Sequence, residues 1–171
     1  ISKAGFEVEK VKTLEVKDAD AAVWKIERSG DNADWKLVGL HAGEQLDSTK
    51  ANAAAYTFAR LDIADVAPKS LTPEESGLAK PATVTATTFD GLTYVLKLGK
   101  LEAGNYYATI AISGEPRPEG KDAGERLKKI NERLPREKAL GGYTLLIAKS
   151  KLDDFLKKRA DLLQKKEEKK K

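Results

Sequence analysis

Hydrophobic positions fall first at Phe6, Val8, Leu14 and Val16, a period of two interrupted by Lys10 and Lys12. That pattern predicts a strand bent or bulged near Val11. Turn residues at Lys17–Asp20 are followed by alternation over Ala21–Arg28, with Ala22, Trp24 and Ile26 on one face. A second turn signal, Gly30-Asp31-Asn32, precedes a short strand from Trp35 to Val38, completing a three-stranded meander. The period then changes. Asp47 or Ser48 is placed to cap a helix whose apolar face is Ala51, Ala54, Ala55, Phe58 and Leu61, and Ile63–Val66 reads as a brief extended exit.

Thr72-Pro73-Glu74-Glu75 is a capping box with proline at the first helical position. Gly77 then ends the turn, and Pro81 blocks its continuation. A threonine-rich, β-branched run over Ala82–Phe89 leads into Asp90-Gly91, a strong two-residue hairpin signal. Leu92, Tyr94, Leu96 and Leu98 share one face of the returning strand. In a third strand, Asn105–Ile112, Tyr106, Ile110 and Ile112 face one way and Tyr107 and Thr109 the other. Gly114–Gly142 is a charged insertion with a helix expected from Asp122 to about Leu134. Its stripe of Leu127, Ile130 and Leu134 is too narrow to expect deep burial. Tyr143–Ala148 reads as a strand, and a final helix is expected from Ser150 with Leu152, Phe155, Leu156 and Leu163 at helical spacing. The expected fold is α+β: two antiparallel β-meanders with short helices packed on one side, plus a C-terminal helix. One domain is expected over residues 1–164, with two βββα-like halves (1–70 and 71–164) and the insertion at 114–142; residues 165–171 form a charged flexible tail.

Length supports that picture, because 171 residues can bury a core without staples. Net charge at first suggests nucleic acid, but of the total of +4 the last seven residues carry +3, leaving the other 164 nearly neutral. A groove tracking a phosphate backbone needs many clustered cations, so no nucleic-acid partner is expected. No apolar run reaches the roughly 18 residues of a membrane span. The chain opens at Ile1 and contains no methionine, from which a piece processed or excised from a longer product is expected.

The absence of cysteine excludes thiol catalysis and cysteine-held zinc, and a single histidine, His41, excludes a two-histidine metal site within one chain. Ser48, His41 and Asp47 contain the residue types of a triad, but neighbours on one loop rarely adopt its geometry, and no nucleophile-elbow glycines flank the serine. A loop histidine beside a helix cap is the better reading. His41, Glu44 and Asp47 at three-residue spacing make an equally poor metal site, with Gly43 between them. Glu74-Glu75 and Asp153-Asp154 are adjacent pairs in first helical turns, where the helix dipole accounts for them. No phosphate-cradling loop is present. Catalytic, cofactor-binding and metal-binding residues are therefore expected to be none. Trp24, Trp35, Tyr94 and Tyr106 share faces with aliphatic residues and are expected in the core. Tyr107, facing away beside Asn105 and Thr109, is expected to be an exposed contact residue.

The motifs in series resemble a known family. Trp35-Lys36-Leu37, the helix after Asp47, Ser76-Gly77-Leu78-Ala79-Lys80-Pro81, Asp90-Gly91-Leu92-Thr93-Tyr94, Leu96-Lys97-Leu98-Gly99 and Tyr106-Tyr107-Ala108 match it in order and spacing over about residues 20–112. The Tyr143 strand and Leu152-Asp153-Asp154 also look similar. The family is the bacterial domain of unknown function numbered 4340. The resemblance implies a non-enzymatic, extracytoplasmic (periplasmic or cell-envelope) domain of a membrane-anchored protein, its anchor preceding Ile1. Members are often encoded beside gliding-motility-type ABC transporters, so a protein partner such as transporter subunits is expected. The resemblance implies a compact strand-to-strand connection where this chain has the Gly114–Gly142 insertion. The candidate interaction surface is Tyr107 with Arg126, Lys128, Lys129 and Arg133 of the insertion helix, against the alternative that this helix is a solvated flap. A small module binding cell-envelope glycan or another ligand is the second functional expectation.

Overall fold

The computed structural model describes residues 5–8, 10–19 and 21–164. The expected tail at 165–171 and the chain start at Ile1 lie outside them. The structure is α+β, with an antiparallel sheet of eight strands and four helices.

Where one bent strand was expected there are two, β1 (Gly5–Glu7) and β2 (Val11–Asp18). The break is at Lys10, whose φ of 56° is left-handed. β3 (Ala21–Glu27) and the two-residue β4 (Lys36–Leu37) complete the first meander. Helix α1 (Ser48–Ala59) starts where Asp47 accepts a hydrogen bond from the Thr49 amide at 3.0 Å, leaving an alanine-rich helix free to pack closely. It hands over directly to β5 (Arg60–Asp62), which pairs with β1, and then to β6 (Asp65–Val66).

Helix α2 (Pro73–Ser76) forms as its capping box predicts: Glu75 N–H donates to Thr72 Oγ1 at 3.2 Å, and Thr72 N–H donates to Glu75 Oε1 at 3.3 Å. The second meander is β7 (Ala82–Thr88), β8 (Leu92–Glu102) and β9 (Asn105–Gly114), with Thr87 opposite Thr93 across the Asp90-Gly91 turn. The two meanders join edge to edge through β2 and β7, Leu14 lying opposite Ala86 and Val16 opposite Val84. With β10 (Leu145–Ala148) the strand order becomes β4-β3-β2-β7-β8-β9-β10-β6.

Because side chains alternate across a strand, one face of this sheet is the core. Leu14, Ile26, Val84, Tyr94, Leu96 and Ile147 are all buried. α1 lies against them through Ala51, Ala54 and Phe58, with the Phe58 ring edge-on to Tyr94 at 6.3 Å and to Phe155 at 5.6 Å. Trp24, Trp35 and Tyr94 are buried as expected, and Tyr106 packs against the core partly buried. Among the described residues no element covers the opposite face. Thr13, Thr85, Thr87, Thr93, Val95 and Thr109 all remain half-exposed there.

Two helices also differ from expectation. Helix α3 runs Ala123–Ala139, through Pro135, and its narrow stripe does enter the core: Ile130 is 1% exposed and Leu134 7%. The reason is an edge. β10 pairs with only Asn105–Ala108 of β9, and the 3-10 turn Leu140–Gly142 that follows α3 comes against the remainder, Gly141 standing close to the Ile110 carbonyl. A narrow stripe suffices to cover an edge. The C-terminal helix α4 (Lys149–Leu152) is a single turn, followed by a 3-10 turn at Arg159–Leu162. Tertiary hydrogen bonds replace further helix here: Trp24 Nε1 donates to the Lys157 carbonyl at 3.1 Å, and Thr57 Oγ1 to Asp154 Oδ2 at 2.9 Å. Leu152, Phe155 and Leu162 are buried, whereas Leu156 is exposed.

Candidate functional site

A groove of about 500 Å³ runs along one flank of α1. The helical repeat turns Ala51, Ala54 and Phe58 into the core, and the same repeat sets Thr49, Asn52, Ala53 and Tyr56 along the groove. Val8, Lys10 and Val11, at the break between β1 and β2, line it too, as do Arg28 and Trp35. Arg28, Trp35 and Asn52 also line a smaller hollow of about 240 Å³, together with Asp31, Asn32, Asp34 and Ser48.

Arg28 organises this region. Its guanidinium lies over the Trp35 ring with 4.5 Å between Cζ and ring centroid. Nε donates to the Val11 carbonyl at 2.8 Å and Nη1 to the Asp31 carbonyl at 2.7 Å, while the Asp31 carboxylate stands 3.4 Å from Nη2. Burial lowers the Arg28 pKa and the neighbouring Asp31 opposes the shift; an arginine begins so high that it stays charged at neutral pH. Lys10 Nζ sits 3.9 Å from the other Asp31 oxygen, and the left-handed Lys10 backbone is held by the Phe89 amide donating to its carbonyl at 2.9 Å. The Trp35 indole N–H is buried and finds no acceptor among the described residues. Leaving such a donor unmet costs about 1–3 kcal/mol.

The five surface residues singled out from the sequence do not converge. Tyr107 lies opposite Leu146, half-exposed on the uncovered face, and donates its hydroxyl to Glu102 Oε2 at 2.5 Å, which raises its pKa. Arg126 turns inward to pair with Asp90 at the β7–β8 turn. Arg133 pairs with buried Glu137 at 3.2 Å one turn along the same helix, whereas the Arg126 pair ties α3 to the β7–β8 turn. Lys128 and Lys129 are exposed. Tyr106 pairs with Leu101 and Gly114 with Leu92, so eight strand residues, about 25 Å, separate the Tyr107 end of β9 from the turn that holds Arg126.

The residue types around His41 are otherwise engaged. Asp47 caps α1, and the His41 backbone N–H donates to Glu44 Oε1 at 2.8 Å. Arg159 grips the Glu44 carboxylate with both ends of its guanidinium, at 2.7 and 2.9 Å. That grip holds the Glu44 pKa down to about 2. Among the described residues no group of three or more histidine, aspartate and glutamate side chains is placed to hold a metal ion, and no helix is long and apolar enough to cross a membrane.

The groove was not legible as a site. Lys10 registers in the sequence as an interruption of a strand, Arg28 as a strand end and Trp35 as core; the one available signal was the pair of lysines breaking the period at positions 10 and 12. No family model, no curated protein and no solved structure matches the chain.

Proposed function

We propose that this chain is a non-enzymatic binding domain of a membrane-anchored envelope protein, exposed outside the cytoplasm and serving as an accessory to an ABC transporter. The observation that supports the non-catalytic part is that four of its acidic side chains are committed to structural bonds. Glu44 is gripped by Arg159, Asp47 and Glu75 serve as caps, and Glu137 pairs with Arg133. What remains for function is surface: the threonine-lined face of the sheet with Tyr107, and the exposed Lys128 and Lys129. The envelope and transporter parts rest on the motif series, two members of which pack on each other. A Cβ on Gly77 would stand 2.6 Å from Lys100 Cγ, and a Cβ on Gly99 would overlap the Ser76 carbonyl oxygen. Two of the motifs that carry the resemblance thus form one close-packed joint.

Affinity capture of the anchored, full-length protein from native envelope tests this reading. Recovery of transporter subunits, lost when Tyr107→Ala is combined with K128E and K129E, is the expected result. Return of the bait alone overturns the transporter role. A second reading, a small-ligand or glycan module, is favoured by the groove beside α1, whose 500 Å³ lies within the range of roughly 300–1,000 Å³ common to such sites.

A further inference from the structure

We propose that the groove between α1 and the β1–β2 break binds a carboxylate-bearing saccharide, with Lys10 and Arg28 receiving the carboxylate and Asn32, Asp34 and Asn52 receiving ring hydroxyls. This rests on the small-ligand reading of the groove. The charge along its length gives the orientation. Among the described residues, the larger cavity is lined by two cationic side chains, Lys10 and Arg28, and by no acidic one. The adjoining hollow carries Asp31 and Asp34 beside Asn32, Ser48 and Asn52, groups that exchange hydrogen bonds with neutral hydroxyls. Val11, Ala53 and Tyr56 offer an apolar surface to the face of a ring.

The cationic end has donors to spare. Three of the five N–H groups of Arg28 face the Val11 carbonyl and Asp31, leaving two for an incoming anion. Beneath that guanidinium the Trp35 N–H lacks an acceptor among the described residues, so the inner wall holds one unmet donor. Lys10 adds a third observation. A lysine in left-handed backbone is strained where glycine is not, and strain of this kind collects at binding sites. Its side chain keeps only a 3.9 Å approach to Asp31.

The test follows the two indole N–H resonances by ¹H–¹⁵N NMR while sodium glucuronate, glucose or sodium acetate is added. Trp35 lines the groove, whereas the Trp24 N–H is bonded to the Lys157 carbonyl and serves as internal control. Glucuronate is expected to move the Trp35 signal saturably, with glucose and acetate each weaker by about tenfold or more. Lys10→Gly is expected to weaken glucuronate by about tenfold without lowering the thermal midpoint, because glycine adopts the same backbone unstrained. Equal response to glucose and glucuronate overturns the carboxylate assignment while the small-ligand reading stands. Equal response to acetate reduces the groove to a plain anion site and overturns the saccharide. Silence toward all three removes both readings, and unchanged glucuronate affinity in Lys10→Gly removes the assignment of Lys10.

Discussion

Ile130→Ala asks whether α3 belongs to the core or rides over it. Ile130 is 1% exposed and lies in the same packed cluster as Leu96, Ile110 and Leu145. Truncation removes three carbons, worth about 2.4 kcal/mol of transfer free energy at about 0.8 each, and leaves a cavity that adds to the loss. Alanine returns about 0.4 kcal/mol through its better helix propensity. The expected net loss is about 3 kcal/mol. For a urea dependence near 2 kcal/mol per molar, the unfolding midpoint falls by about 1.5 M with an unchanged slope. Lys129→Ala, one residue away and exposed, is the control and should stay within about 0.5 kcal/mol. If the two variants unfold together, α3 is undocked in solution, and the insertion is the solvated flap that its charge pattern suggests.

Gly99→Ala should destabilise by more than about 2 kcal/mol, because the new Cβ meets the Ser76 backbone, whereas Gly30→Ala meets nothing within 4 Å and should be close to neutral; urea titration separates them. Glu44 supplies a pH dependence. Its folded pKa of about 2 lies below the unfolded value, so its contribution is fully present above the ordinary carboxylate range and is lost as pH falls through about 2. The midpoint difference between the native chain and Glu44→Gln should therefore be largest at neutral pH and shrink in acid. A difference that grows in acid would refute the assignment. Glu102→Gln should let Tyr107 ionise at lower pH than in the native chain, read as phenolate absorbance with Tyr107→Phe as blank.

Elements whose cause is local were the ones readable in advance. The Thr72–Glu75 capping box, the Asp90-Gly91 turn and the alternation of Leu92, Tyr94, Leu96 and Leu98 each act through neighbours in sequence, and each is present. The extent of α3 was not readable, because Pro135 argues for a stop at Leu134. What carries the helix past it is the burial of Leu134 together with the Arg133–Glu137 pair, which spans the proline. The long C-terminal helix gave way to bonds with Trp24 and Thr57, residues about a hundred positions away. The groove was hidden for a similar reason. Its chemistry exists only because Val8, Lys10 and Val11 meet residues from the 28–35 and 49–56 segments, and no periodicity within any one segment reports that meeting.

The junction of β2 with β7 sets a timetable for the growing chain. β2 finds its second neighbour only after roughly seventy further residues have been made, a delay of about 3–15 s at ordinary synthesis rates. Meanwhile the β2–β3 hairpin presents a bare edge of hydrogen-bonding groups, the kind of template on which chains aggregate. Lys12, Glu15 and Lys17, spaced along β2, interrupt its apolar sequence and act as gatekeepers during that wait. Replacing them with valine would leave the finished sheet intact while lowering the yield of chains that reach it.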